Sequence, residues 1–324
     1  MGTRKLAILD DYQNAARTAA DWSAIQQHVD IQVFTQPFSS EDDAAEALRD
    51  FDMIGLLRER TPLPASLIAR LPALKFICAT GTHNRTLDLA AAHKHGITVS
   101  CTRSGSSEFP TTELTWALIL AAARHLPQED RALRSGRWQT TLGSTLNSKT
   151  LGIVGLGRIG RQVAHVGRAF GMNILAWSPR LTPERAQESG ASLATKDELF
   201  SRSDVISLHV VLNDATRGLV GATQIQRMKR GALLVNTSRG PLIDEKALIE
   251  ALEARKINAA LDVFHQEPLS PSHPLLSLDN VVLTPHLGFA VQEVYSVFYH
   301  DMVENISAYL AGRPIRLLDD PSTH

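Results

Sequence analysis

The sequence predicts an α/β protein built from two doubly wound parallel sheets, and three observations carry that expectation. Short apolar runs alternate with helical patterns along most of the 324 residues, the signature of parallel strands covered on both faces. The alternation occurs twice, separated by a long apolar helix and a polar stretch. A chain of 324 residues holds two domains at roughly 150 residues each.

In the first series, strands are expected at 5–9, 31–34, 52–57, 74–79 and 97–101, with amphipathic helices at 41–50 and 64–72 between them. Residues 111–125, TTELTWALILAAARH, form an apolar helix that opens on polar residues. The second series offers six strands, at 151–155, 173–177, 204–210, 232–236, 258–263 and 281–284. The stretch 290–311 returns to a helical pattern, with Tyr295, Phe298, Val303, Ile306 and Leu310 available to one face. The implied division sets 1–101 with 290–324 apart from 102–289, the helices near 111 and 290 forming the crossings.

Composition narrows the partners. Lys plus Arg number 33 against 34 Asp plus Glu, so no electrostatic footprint for nucleic acid or an anionic membrane exists. No apolar run reaches the ~18 residues of a membrane span, and the amino-terminal MGTRKLAILDDY lacks a signal-peptide core; a cytoplasmic protein is expected. Cys78 and Cys101 lie in apolar stretches without a CxxC and read as buried thiols. No His, Cys, Asp and Glu grouping has metal-ligand spacing, so no metal is expected.

The chemistry begins at LGIVGLGRIG, residues 151–160, where Gly155, Gly157 and Gly160 make a G-x-G-x-x-G between an apolar strand and a helix. The first glycine permits the tight turn and the second lets backbone approach a pyrophosphate. The third packs helix on strand, turning the helix N–H groups toward the anion. An NAD site usually carries an acidic residue about 20 positions on, at the end of the next strand. Here that strand ends Ala176, Trp177, Ser178, Pro179, Arg180. Ser178 can bond a hydroxyl or a phosphate and Arg180 can pair with a 2′-phosphate, which places NADP(H) ahead of NAD(H).

Ligands of open parallel sheets bind beyond the carboxyl ends of the strands. Arg239 in NTSRGPLID, Glu267 in DVFHQEPL and His286 in TPHLG all follow expected strands. They supply a cation for a carboxylate, a proton donor and a carboxylate to tune that donor. A carboxylate beside an imidazole favours its protonated form.

With these residues in hand, the chain resembles the D-isomer-specific 2-hydroxyacid dehydrogenases, the group of the glyoxylate/hydroxypyruvate reductases and D-3-phosphoglycerate dehydrogenases. The resemblance runs nearly end to end and rests on TLGIVGLGRIGRQVA (150–164), LLVNTSRGPLIDEKAL (233–248), ALDVFHQEPL (260–269) and NVVLTPHLG (280–288). It implies a Rossmann dinucleotide-binding domain with a dimerisation arm, inserted in a flavodoxin-like substrate domain. It also implies hydride transfer between nicotinamide and C2 of a 2-oxo acid or D-2-hydroxy acid, with His286 as general acid/base, Glu267 as its partner and Arg239 as substrate anchor. Asp262 would hold the nicotinamide carboxamide, a buried structural aspartate being the alternative. Arg158, Ile159, His209, Val210, Asn236, Thr237, Ser238 and Gly288 would complete the cofactor cleft.

For the substrate, the resemblance points to backbone N–H groups of Gly81, Thr82, His83 and Asn84. That loop, ATGTHNRTLD, departs from the family's usual GVDNID, His83 standing near the usual acidic residue and Arg85 following Asn84. A second departure, TRSGSSEFPTTELT at 102–115, replaces the usual proline–glycine turn. Arg58 and Arg60 read as solvated surface residues, with contact to an acidic substituent as the alternative. His125, His265 and His300 read as surface or packing residues. The 111–125 helix and SGRWQ match the arm of family dimers, which makes the chain an expected homodimer and Trp138 either a substrate contact or interface filler. Rival readings are a nucleotide-sensing scaffold without catalysis and a formate- or phosphite-oxidising enzyme.

Overall fold

The computed structural model describes residues 3–105 and 108–318. The chain divides into two compact units, a discontinuous one from Met1–Ser106 with Val291–His324 and a continuous one from Ser107–Ala290.

The discontinuous unit holds five strands, β1 (Arg4–Ile8), β2 (Val29–Val33), β3 (Met53–Leu56), β4 (Phe76–Ala79) and β5 (Thr98–Cys101), in the order β2-β1-β3-β4-β5. Every pair of these strands is parallel. The order reverses between β1 and β3, so the crevice beyond their carboxyl ends is the place where such sheets bind ligands. The central strands, MIGL and FICA, are buried at every position, which is why they read as unbroken apolar runs rather than alternations. Helix Gln292–Leu310 buries Tyr295, Phe298, Val303 and Ile306 as expected, together with Tyr299 and Met302, while Leu310 is only half-buried. It comes so close to β3 that a Cβ on Gly55 would lie 2.9 Å from the Met302 sulfur. Residues 315–318 then run antiparallel along β5. Cys101 N–H donates to Arg316 O at 2.8 Å and Leu318 N–H to Val99 O at 2.9 Å.

The expected helix over 64–72 shrinks to Ala65–Ile68. Pro72 disfavours helical backbone at Leu71, and the chain leaves through i+3 bonds, Arg70 N–H to Leu67 O and Leu71 N–H to Ile68 O.

The continuous unit carries seven strands where six were expected. They are β6 (Thr150–Val154), β7 (Asn173–Trp177), β8 (Ser192–Leu193), β9 (Val205–Leu208), β10 (Leu233–Asn236), β11 (Asn258–Leu261) and β12 (Val281–Leu283), in the order β12-β11-β10-β9-β6-β7-β8. All are parallel, and the order reverses between β6 and β9. The addition is β8, two exposed residues paired with Leu175 and Ala176; so short an edge leaves no apolar run to read. The long apolar helix spans Glu108–Ala123 rather than 111–125. Pro110 falls in its first turn, where a missing N–H costs nothing, and Glu108 and Phe109 therefore belong to the helix. One apolar cluster gathers Val154, Leu175, Phe200, Ile206, Leu234 and Leu261. Another gathers Trp116, Ile119, Leu151, Ile153, Val163 and Val235. Neighbours in β6 and β10 thus point into different clusters, as the twofold strand repeat requires.

Candidate active site

The glycine loop lies at the switch between β6 and β9. Gly155 has φ +100°, and a Cβ there would stand 2.6 Å from His209 O, so only glycine fits on both counts. A Cβ on Gly160 would fall 2.1 Å from Gly155 O, which is how the helix Arg158–Ala169 closes on the loop. Gly157, the N-cap of that helix, meets nothing within 4 Å and is exposed, as is Arg158. The result is an open cradle flanked by unbonded N–H groups of a first helical turn, and it fits a pyrophosphate. Ser178 Oγ accepts the Leu156 N–H at 3.0 Å, so this hydroxyl braces the loop, while Arg180 is exposed.

The remaining expected cofactor residues differ in what they face. Burial pushes the His209 imidazole down to about 4, and its Nε2 lies 2.9 Å from Ser207 Oγ. Val210 O accepts from Ser238 Oγ at 2.8 Å. Asn236 is fully buried, donating to Arg239 O at 2.9 Å and accepting from Ser238 N–H at 3.0 Å. Thr237 Oγ1 pairs with Thr115 Oγ1 at 2.8 Å. Ile159 is half-buried. Asp262 is fully buried, and its carboxylate accepts from the Gly288 N–H, the Leu287 N–H and the Thr284 hydroxyl.

Beyond the ends of β10, β11 and β12 the structure brings Arg239, Glu267 and His286 together. The Arg239 loop can approach the Glu267 loop because Gly240 has no side chain: a Cβ there would lie 2.1 Å from the Phe264 carbonyl. Glu267 Oε1 accepts the Phe264 N–H at 2.8 Å, and Oε2 lies 2.5 Å from His286 Nδ1. Burial alone would raise the Glu267 carboxyl. The hydrogen bond and charge of His286, the Phe264 N–H and the Arg239 charge together hold it below the ordinary glutamate value. With a carboxylate on Nδ1, that nitrogen carries the proton and Nε2 is left for chemistry. His286 has φ +55°, and the Phe289 ring packs on its imidazole at 5.8 Å, inclined 81°. Arg239 Nη1 donates to Ser238 O at 2.7 Å. A cation, an imidazole and a carboxylate on one crest can grip an anion and move a proton.

In the discontinuous unit, the four expected loop residues divide. Thr82 and His83 are exposed, their side chains 3.3 Å apart. Gly81 and Asn84 are buried and engaged. The Gly81 N–H donates to Thr102 Oγ1 at 2.9 Å. Asn84 donates to Arg58 O at 2.9 Å and accepts from Thr86. Arg85 is exposed, its N–H donating to Glu59. The expectation of solvated arginines at 58 and 60 is corrected, since both are half-buried and hydrogen-bonded. Arg58 N–H donates to Thr80 Oγ1 and its Nη1 to Thr80 O. Arg60 Nη1 donates to Asp10 O at 2.6 Å, with its guanidinium 4.5 Å over the Tyr12 ring. His265 Nε2 lies 2.8 Å from Ile243 O, a packing role.

Sequence reasoning missed Thr284, the Phe264 N–H and the Thr115–Thr237 pair. Thr284 stands two residues before His286, but nothing in spacing says where a hydroxyl points. Among the described residues, no group of three or more His, Cys, Asp or Glu side chains is arranged to hold a metal.

A parallel sheet with a glycine cradle at its switch point is the architecture of a nicotinamide-dinucleotide-binding domain, and the comparisons agree. Residues 116–288 match the family model of the D-isomer specific 2-hydroxyacid dehydrogenase, NAD binding domain. The chain is 37% identical over 301 residues to a glyoxylate reductase of Aeropyrum pernix, covering 89% of each chain. It is 40% identical over 264 residues to a D-3-phosphoglycerate dehydrogenase of Archaeoglobus fulgidus, covering 81% of this chain and 50% of that one. The chain thus spans about half the length of the curated D-3-phosphoglycerate dehydrogenases it matches. Among solved structures, a phosphoglycerate oxidoreductase of Vibrio cholerae o395 superposes with a TM-score of 0.90 at 41% identity, covering 96% of this chain and all of that one. The chain belongs to the D-isomer-specific 2-hydroxyacid dehydrogenase family.

Proposed function

We propose that the chain is an NAD(P)-dependent oxidoreductase that interconverts a 2-oxo acid and a D-2-hydroxy acid, in the manner of a glyoxylate/hydroxypyruvate reductase. The observation that carries this reading is the His286–Glu267 pair with Arg239 beside it. When bound, a nicotinamide dinucleotide supplies or accepts the hydride at C2. Gly155, Gly157, Arg158 and Gly160 would hold its pyrophosphate. Arg239 would grip the substrate carboxylate through its planar fork and orient C2. His286 Nε2 would give a proton to the carbonyl oxygen in reduction and take the hydroxyl proton in oxidation. Glu267 would keep Nδ1 protonated and offset the imidazolium charge.

NADP(H) is proposed ahead of NAD(H), because the end of β7 carries the exposed Arg180 and no carboxylate. A homodimer is proposed from the segment after helix Leu126–Arg134. There Trp138 is 76% exposed and Leu142 95% exposed, while Glu129 accepts hydrogen bonds from Thr140 and Thr141 that fix the segment. A cytoplasmic location is consistent with the described helices, none of which is long and apolar enough to cross a membrane.

The test is the initial rate of NADPH and NADH oxidation by purified protein with glyoxylate, hydroxypyruvate, pyruvate or phenylpyruvate. Turnover of any of these supports the reading. Nucleotide binding with no turnover of any 2-oxo acid overturns it in favour of a sensor, and turnover of formate or phosphite alone in favour of a small-anion oxidase.

A further inference from the structure

Arg239 and Glu267 stand on two separate turns, and each turn is closed within itself. On the first, Arg239 O accepts from the Asn236 side-chain amide at 2.9 Å and from the Leu242 N–H at 3.2 Å. The Ile243 N–H donates to Gly240 O at 3.1 Å. Residues 236–243 are thus tied together, and the position of Ile243 is passed on to Arg239. On the second turn, Glu267 Oε1 takes the Phe264 N–H at 2.8 Å, which folds residues 264–267 around His265 and Gln266.

The distance between the turns has a lower and an upper limit. Backbone contact sets the lower one: a Cβ on Gly240 would stand 2.1 Å from the Phe264 carbonyl and 2.6 Å from the His265 nitrogen. Packing does not set the upper one alone, since a cavity lined by Asn236, Ile243, Phe264 and His265 opens between the turns. A side chain crosses that gap. His265 Nε2 lies 2.8 Å from Ile243 O, and because a carbonyl only accepts, Nε2 is the donor and carries the proton. His265 belongs to the Glu267 turn and Ile243 to the Arg239 turn, so this one bond spans both. His265 is exposed, so its imidazole is not there to fill a core.

We propose that His265 is a positioning residue for the substrate anchor: its imidazole N–H, bonded to the Ile243 carbonyl, fixes how far the Arg239 turn stands from the Glu267 turn. This gives the His265 contact a role beyond packing, and it rests on the proposed reading of Arg239 as the grip on the substrate carboxylate. His265 acts through Arg239 rather than on the reacting atoms. A planar guanidinium meets a carboxylate through two parallel N–H groups, and a misplacement of about 1 Å can cost on the order of 10²-fold. A bond that holds the turn at one distance therefore controls how well the anchor works.

The experiment compares His265→Leu, His265→Gln and Arg239→Gln, with the double variant His265→Leu/Arg239→Gln. Leucine removes the donor, whereas the glutamine amide can place an N–H near the same carbonyl. Each is read by kcat and KM on the fastest of glyoxylate, hydroxypyruvate, pyruvate and phenylpyruvate, and by the dissociation constant for the reduced dinucleotide. For His265→Leu, kcat/KM should fall about tenfold, most of it as a raised KM, while the dinucleotide constant changes less than about twofold. His265→Gln should recover kcat/KM to within about threefold of the parent. The double variant should be no worse than Arg239→Gln, because a residue acting through another adds no separate loss. Three results overturn the proposal with the parent active: His265→Leu within twofold of the parent, equal losses for leucine and glutamine, or fully additive losses in the double variant. If His265→Leu does not fold, His265→Ala takes its place under the same criteria. An unchanged KM in Arg239→Gln would instead remove the anchor reading, and a parent that turns over no 2-oxo acid would remove the proposed function and this inference with it.

Discussion

The Glu267 carboxylate divides its oxygens between two tasks: Oε2 meets His286 Nδ1 at 2.5 Å, and Oε1 takes the Phe264 N–H at 2.8 Å. The second bond fixes the carboxylate so that the first has one geometry. Glu267→Gln retains the shape but substitutes a neutral amide. It should lower kcat roughly 10²-fold, within the range of general acid–base contributions, and His286→Ala should cost about 10²- to 10⁴-fold. Single-turnover reduction rates on the tightest-binding 2-oxo acid would measure both. A Glu267→Gln enzyme at full speed would remove the pair from the chemistry.

Gly240 is fixed by contact rather than by φ. Its would-be Cβ meets the backbone carbonyl of Phe264 at 2.1 Å, and a backbone cannot rotate away as a side chain can. Gly240→Ala should therefore destabilise by about 1–3 kcal/mol, the cost of overpacking. It should also spread the Arg239 and Glu267 loops, so activity should fall even below the melting transition. Chemical denaturation with parallel rate measurements tests both parts.

For the cofactor, Arg180→Glu should turn the proposed preference for NADPH into one for NADH, because the substitution replaces a cation able to pair with a 2′-phosphate with a carboxylate that favours a 2′-hydroxyl. The ratio of kcat/KM for the two cofactors should move by tenfold or more. An unchanged ratio would locate the discrimination elsewhere in the loop.

The imidazole of His209 is held down to about 4 by burial, whereas in the unfolded chain it titrates near ~6.5. Between those values the unfolded state binds the extra proton, so this residue lowers stability as pH falls from about 6.5 and stops doing so below about 4. It contributes no such loss above pH 7. The melting temperature of His209→Gln should accordingly fall less steeply with acid than that of the parent protein across this window. Parallel curves for the two would exclude the effect.

Leu142→Asp, at a 95% exposed apolar position, should leave folding intact and convert the proposed dimer to a monomer in sedimentation. An unaltered dimer would mean that the interface lies elsewhere.

Much of this was legible in the residues because burial on both faces writes unbroken apolar strands such as LLVN at β10, and because Gly155 and Gly160 are demanded by backbone crowding that any sequence must respect. The site's three side chains were legible as strand-end residues. What stayed hidden depends on direction. Spacing does not say that the Asp262 carboxylate accepts from the Thr284 hydroxyl and the Leu287 and Gly288 N–H groups. Gly240 marks a turn in sequence, yet its requirement comes from Phe264, far along the chain. The strand β8 escaped because two exposed residues held by pairing alone leave no hydrophobic trace.

The antiparallel segment 315–318 along β5 bears on how the protein is made. The edge of the first sheet is not closed until residue 318 has left the ribosome, whereas residues 107–290 form one uninterrupted stretch able to bury its own core earlier. Domains fold as units while synthesis proceeds, so the cofactor cradle can be complete while the older amino-terminal third still waits for the segment that lies along its edge. A ribosome-bound nascent chain whose residues 107–290 have all emerged from the exit tunnel should then already bind nucleotide.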